Sequence, residues 1–234
     1  MKKHQLLTVS ALFAANSVIA GGMEDDPFLT MVKIDQFEWQ DGSGGDVLSW
    51  DAQAWFGKDL HKLWVKTEGE YAGGQTEEAE VQLLYSRAIM PYWDIQAGWR
   101  RDIRPAPDRD WFTVGFKGLA PYFFEVDAQL FFGESGRLGA RFKAEYELMF
   151  TQRLVLSPEV ELNWYSGDDP DTGIGGGLSD ASAGLRLRYE IRREFAPYVG
   201  IEWARQFGAT ADFTEEEGGD ISDTRLVAGI RAWF

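Results

Sequence analysis

Six acidic residues in the first half of the chain, Asp51, Glu68, Glu70, Glu78, Glu80 and Asp94, occupy the polar positions of alternating segments. On those same faces the sequence sets only Lys66 and Arg100 against them. An acidic wall of this kind inside a narrow lumen attracts and concentrates cations, which makes these six residues a candidate cation path. A second set, Met23, Met31, Met90, Met149 and His61, offers thioether and imidazole ligands suited to soft metal ions. They come from well-separated segments and form no Met-x-x-Met cluster, so the plainer reading is ordinary turn and interface residues. Catalytic chemistry has little to use. Beyond the first few residues His61 is the only histidine, and no nucleophile and base are placed together by spacing, so the chain reads as a non-enzyme.

The elements that must carry these residues are strands. From about residue 31 to the end, apolar and polar positions alternate with period two, and helical periodicity is nowhere comparable. In "GLAPYFFEVDAQLFFG" the even positions from Tyr122 to Phe132 are all apolar, while Glu125, Asp127 and Gln129 fall between them. Leu138 to Phe150 alternates with Arg141, Lys143, Glu145 and Glu147 in the same way. Counting a first segment near 31–40, bulged where Val32 and Ile34 give way to Phe37 and Trp39, the pattern predicts twelve strands. Even strand numbers are what a bacterial outer-membrane barrel uses. Pro158 falls inside the ninth strand, where it removes a ladder donor, and a local bulge is expected there.

Alternate connections test the reading. Outer-membrane barrels have short periplasmic turns, longer extracellular loops and both chain ends in the periplasm. The odd-numbered links, among them "DGSGGD", "AGGQTEE", "SGDDPDTGIGGGL" and "GATADFTEEEGGDIS", are long and acidic; the even ones, such as "GKDL", "MP" and "TQ", are short. A soluble sandwich or lipocalin-like barrel also alternates, but its strands average only about five or six residues. Several strands here reach the roughly nine to eleven that cross a bilayer. The apolar face therefore meets lipid and the charged face lines a wet interior. In the second half the interior charges alternate in sign between neighbouring strands, as a stiffening ion-pair lattice would.

Composition narrows the partners. A net charge of -15 excludes nucleic acid, whose phosphates need a basic surface. Without cysteine there is no disulfide framework and no thiolate metal site. Lys2 and Lys3 ahead of an apolar run ending in Val18-Ile19-Ala20 read as a secretory signal peptide over 1–20, followed by a short periplasmic tail at 21–30 and the barrel at 31–234.

The blocks "DPFLTMVKIDQFEWQ", "GLAPYFFEVDA", "LSPEVELNWYSGDD", "GLRLRYEIRREFAPYVGIEW" and "VAGIRAWF" resemble the barrel domain of the copper resistance protein B family over about residues 26–234. Phe234 resembles the C-terminal aromatic read by the barrel-insertion machinery. The resemblance implies an outer-membrane protein of copper tolerance that binds or conducts copper ions and acts with a periplasmic multicopper oxidase. The family's Met- and His-rich leader segment is reduced here to "GGMEDDPFLT". Copper handling would then fall to the barrel itself, through Met31, Met149 or His61 at the periplasmic mouth and the acidic wall above. The alternative is a passive, narrow, cation-preferring pore or a structural barrel without metal specificity.

Overall fold

The computed structural model describes residues 26–234 except Gly44; the expected signal peptide, most of the tail and Met23 lie outside the described residues. Twelve antiparallel strands form a closed barrel: β1 (Leu29–Gly42), β2 (Gly45–Gly57), β3 (His61–Ala72), β4 (Gln75–Met90), β5 (Trp93–Arg104), β6 (Arg109–Ala120) and β7 (Phe124–Gly133). They continue as β8 (Leu138–Glu145, resumed at Leu148–Met149), β9 (Leu154–Tyr165), β10 (Gly177–Tyr189), β11 (Phe195–Gln206) and β12 (Ser222–Trp233). Each strand pairs with its neighbour in sequence, and β12 closes on β1 through pairs such as Trp39 with Ala228. Closure removes both sheet edges, which lipid could not satisfy.

The parity read from the sequence holds. Phe112, Leu130 and Val199 point outward at 56, 53 and 59 % exposure, while Gln82, Gln96, Gln129, Arg100 and Arg186 are buried in the interior. For a soluble protein this would be inside out; in a bilayer it places apolar side chains in hydrocarbon and charges in a hydrated lumen. The bulge in β1 falls between Ile34 and Phe37, as the switch of apolar parity requires.

Pro158 is accommodated differently from expectation. The register of β9 against β8 is the same on both sides of the proline, with Glu159 opposite Glu145 and Leu156 opposite Leu148, so there is no bulge. Tyr146 N–H still donates to the Pro158 carbonyl at 3.0 Å, but the proline has no N–H to return the bond. The result is a two-residue interruption of β8 at Tyr146 and Glu147. A register shift in β9 occurs instead against β10, between Asn163 and Trp164.

Three connections also depart from expectation. The greasy face of β7 begins at Phe124, because Pro121–Phe123 form a 3-10 turn that holds Tyr122. The "AGGQTEE" link is only the turn Gly73-Gly74, whose φ values of 58° and 87° suit a tight hairpin that other residues adopt at a cost. The last outer link contains a helix, α1 (Gly208–Glu216), too short and too weakly patterned to show against the period-two background.

Candidate functional site

The start of β1 and the C-terminal Phe234 share one rim, where Phe234 and Val32 exchange backbone hydrogen bonds of 3.0 and 2.8 Å, and in an outer-membrane barrel that rim is periplasmic. Behind it the lumen holds two chambers. The inner one, of about 330 Å³, is lined by Lys33, Asp35, Lys66, Lys117, Asp127 and Arg231 among others. The outer one, of about 400 Å³, is lined by Glu70, Glu78, Arg109, Asp169, Asp180 and Arg225 among others. Asp51, Glu68, Glu80, Arg141, Lys143 and Arg186 line both and form the belt between them.

The belt is built from ion pairs that cross the lumen. Arg141 on β8 reaches Glu68 and, at 3.0 Å, Glu80 on the opposite wall, and Glu161 at 3.2 Å beside it. Lys143 meets Glu68 at 2.5 Å, Glu161 at 3.1 Å and Asp51 at 3.6 Å. On the other side Arg186 grips Glu38 through two hydrogen bonds of 2.8 and 2.9 Å, and adds Glu159 at 3.3 Å and Glu202. Glu38 accepts further bonds from Tyr198 and Gln40, each at 2.9 Å. Planar guanidinium groups suit such bridging because each presents several donors in a fixed fork.

The six acidic residues singled out from the sequence therefore have unequal surroundings. Asp51, Glu68 and Glu80 are neutralised by Arg141, Lys143 and Arg100, the last lying 2.8 Å from Glu80. Asp94 lies near the inner rim, 3.5 Å from Lys62 and accepting a 2.8 Å hydrogen bond from Ser86. Glu70 and Glu78 sit directly opposite one another on β3 and β4. Arg225 stands 3.5 Å from Glu70, and Glu78 has no ion pair among the described residues. Like charges in a facing pair repel, so the outer chamber carries an under-compensated acidic position here. Asp180 also lines the outer chamber; no charge pattern in the sequence marks it, since Ser182 follows it on its own face.

The soft ligands are not brought together. Met31 faces inward on β1, its sulfur accepting a hydrogen bond from Trp55 Nε1 at 3.2 Å. Met149 ends β8 and Met90 ends β4, both exposed. His61 faces outward, its Nδ1 2.5 Å from the Tyr85 hydroxyl. Among the described residues no three His, Asp or Glu side chains converge in a metal-holding arrangement.

The segment between β9 and β10 lines the outer chamber at its mouth. Asp169 in that segment is clamped by Arg137 at 2.7 Å and Arg109 at 2.9 Å. Burial works against its charge, but the hydrogen bonds and charge of Arg109, with Arg137 behind them, outweigh it and hold the carboxyl below its usual range. Thr210 of α1 ties the same segment down, accepting from Gly175 N–H at 2.8 Å and lying 3.0 Å from Ser179 Oγ.

A closed twelve-strand barrel with an apolar outer belt and a charged interior is an outer-membrane β-barrel. Solved structures agree on the fold: the NanC porin superposes with a TM-score of 0.57 at 10 % identity, covering 86 % of this chain and 98 % of that one. Outer membrane phospholipase A from Escherichia coli gives 0.51 at 14 % identity, over 87 % and 92 %. At these identities the likeness concerns architecture alone. Sequence goes further: the family described as copper resistance protein B precursor (CopB) matches residues 28–234. Copper resistance protein B of Escherichia coli is 45 % identical over 212 residues, 91 % of this chain and 72 % of that protein. A copper resistance protein B homolog of Pseudomonas syringae pv. tomato is 46 % identical over 200 residues, 86 % and 68 % respectively. The chain belongs to the copper resistance protein B family, and its role is in copper resistance at the bacterial outer membrane.

Proposed function

We propose that the barrel binds copper ions in its lumen and passes them across the outer membrane, with the facing carboxylates Glu70 and Glu78 as the first binding position. The observation that carries this reading is their like-charge pairing in the outer chamber, relieved among the described residues by one ion pair, from Arg225 to Glu70 at 3.5 Å. A cation entering there gains oxygen ligands and removes a repulsion, and carboxylate oxygens suit Cu(II) better than Cu(I). Movement onward requires the Arg141 and Lys143 belt to part, since those cations hold the centre of the lumen. Asp51, Glu68 and Glu80 would become available to a passing ion only then. At the inner mouth the ion would be handed to a periplasmic multicopper oxidase, the partner the family resemblance implies. We read residues 1–20 as a cleaved leader and the chain as a carrier with no enzymatic step.

The second reading is a narrow pore that prefers cations without selecting copper, supported by the absence of three convergent ligands among the described residues. Proteoliposomes carrying the refolded barrel and an internal metal-sensitive dye separate the two. Copper entry faster than zinc entry, reduced at least several-fold by Glu78→Gln, is the expected result. Equal entry of both metals, unchanged by the substitution, would support the pore and remove the copper assignment.

A further inference from the structure

The barrel's outer wall carries one arrangement that neither lumen chemistry nor hydrocarbon contact accounts for. Arg87 lies on β4 in the same outward parity as Leu83 and Tyr85, which are 43 and 49 % exposed, so its side chain leaves the barrel on the lipid side. It is exposed and makes no ion pair or side-chain hydrogen bond with any described residue. Its cross-strand partners are His61 on β3 and Ile95 on β5. His61 is fixed by Tyr85, with the rings stacked at 5.9 Å and Nδ1 2.5 Å from the hydroxyl, which leaves Nε2 free on the same surface as the guanidinium.

Arg87 stands three residues short of the end of β4, about 10 Å along the strand from its periplasmic end and so on the periplasmic side of the apolar belt. Towards the membrane centre the wall continues as Leu63, Val65 and Leu83, an apolar track for an acyl chain. The opposite rim is built differently. There the outward Arg101 is held by Asp108 at 2.7 Å and Asp110 at 3.6 Å, so its charge is already spent. An outward arginine left without a carboxylate, beside a positioned imidazole and above an apolar track, matches the chemistry of a phosphate-bearing headgroup.

We propose that Arg87, with His61 and Tyr85 beside it, binds the headgroup phosphate of a phospholipid in the periplasmic leaflet. The guanidinium takes the phosphate oxygens, the free imidazole nitrogen adds a second contact, and the acyl chain follows Leu63 and Val65. The proposal is independent of copper.

The test uses the full mature barrel, refolded and delipidated in nonionic detergent, with phosphatidylglycerol added and lipid retention followed by native mass spectrometry. The wild type should retain the lipid. Arg87→Gln should weaken retention at least ten-fold, Arg87→Lys should recover part of it, and Arg101→Gln at the other rim should leave it unchanged. Heat-modifiable electrophoretic mobility reports that each variant is folded; if Arg87→Gln fails to fold, His61→Leu together with Arg87→Lys decides, with weakened retention expected in both. Equal retention by the wild type and the Arg87 and His61 variants would overturn the site. Displacement of the lipid by an equal concentration of inorganic phosphate would overturn the lipid as its ligand and leave a small-anion site.

Discussion

Replacing Arg186 by methionine is the sharpest probe of what holds the lumen together. Its side chain is 7 % exposed and serves three carboxylates, of which Glu38 is fully buried. The substitution keeps most of the side-chain volume but leaves Glu38 with only Tyr198 and Gln40 as donors. Breaking a buried ion pair by removing one partner costs about 3–5 kcal/mol. Glu159 and Glu202 are about a fifth exposed to the lumen, where water offsets their loss, so the cost is set by Glu38 and lies near the lower end of that range. Equilibrium unfolding in urea from lipid vesicles, followed by tryptophan fluorescence, measures it. The double variant Glu38→Gln/Arg186→Met removes the stranded charge as well as the cation, and should recover at least half of the loss. A single-variant cost below about 1 kcal/mol, the worth of an exposed pair, would refute the reasoning. So would a double variant no more stable than the single one.

Arg141→Met should unblock the belt, because Glu68, Glu80 and Glu161 lose their shared cation; planar-bilayer recordings should show cation conductance rising several-fold, and unchanged currents would show that the belt is not the barrier. The Asp169 clamp predicts a pH dependence at the outer mouth. Its folded-state carboxyl is depressed, so its contribution is complete above the unfolded value of about 4 and is lost as the pH falls through the lower folded value. Limited proteolysis between Ser166 and Gly176 should accordingly be slow at neutral pH and faster in acid, and Asp169→Asn should be cut readily at both.

Much of the fold was legible because lipid imposes a rule that neighbouring residues can satisfy on their own. Each strand must be apolar on alternate positions, so the parity of Phe112, Leu130 or Val199 can be read without knowing the barrel, and the β1 bulge shows as a change of parity at Phe37. The connections were less legible. The Gly73-Gly74 hairpin and α1 share their composition with ordinary acidic loops, and Pro158 marks a lost donor without saying which strand yields. The site was legible as a set of inward charges but not as pairs. Neighbour-strand reasoning left Glu68 and Glu80 facing few cations, whereas Arg141 reaches them across the lumen, 73 and 61 residues away in sequence. Only closure of the barrel brings those walls together. Strand parity, by contrast, already separates Met31, on the inward positions of β1 with Lys33, from His61, on the outward positions of β3 with Leu63.

The most direct test of copper binding in the lumen is a metal titration of the refolded mature barrel, with bound Cu(I), Cu(II) and Zn(II) counted by elemental analysis. Three proteins are compared: the wild type, Glu70→Gln/Glu78→Gln, and Met31→Leu/Met149→Leu. Selective binding of about one copper per chain is expected, lost in the glutamine pair and kept in the leucine pair. Binding unaffected by the glutamine pair, or equal for copper and zinc, would contradict it.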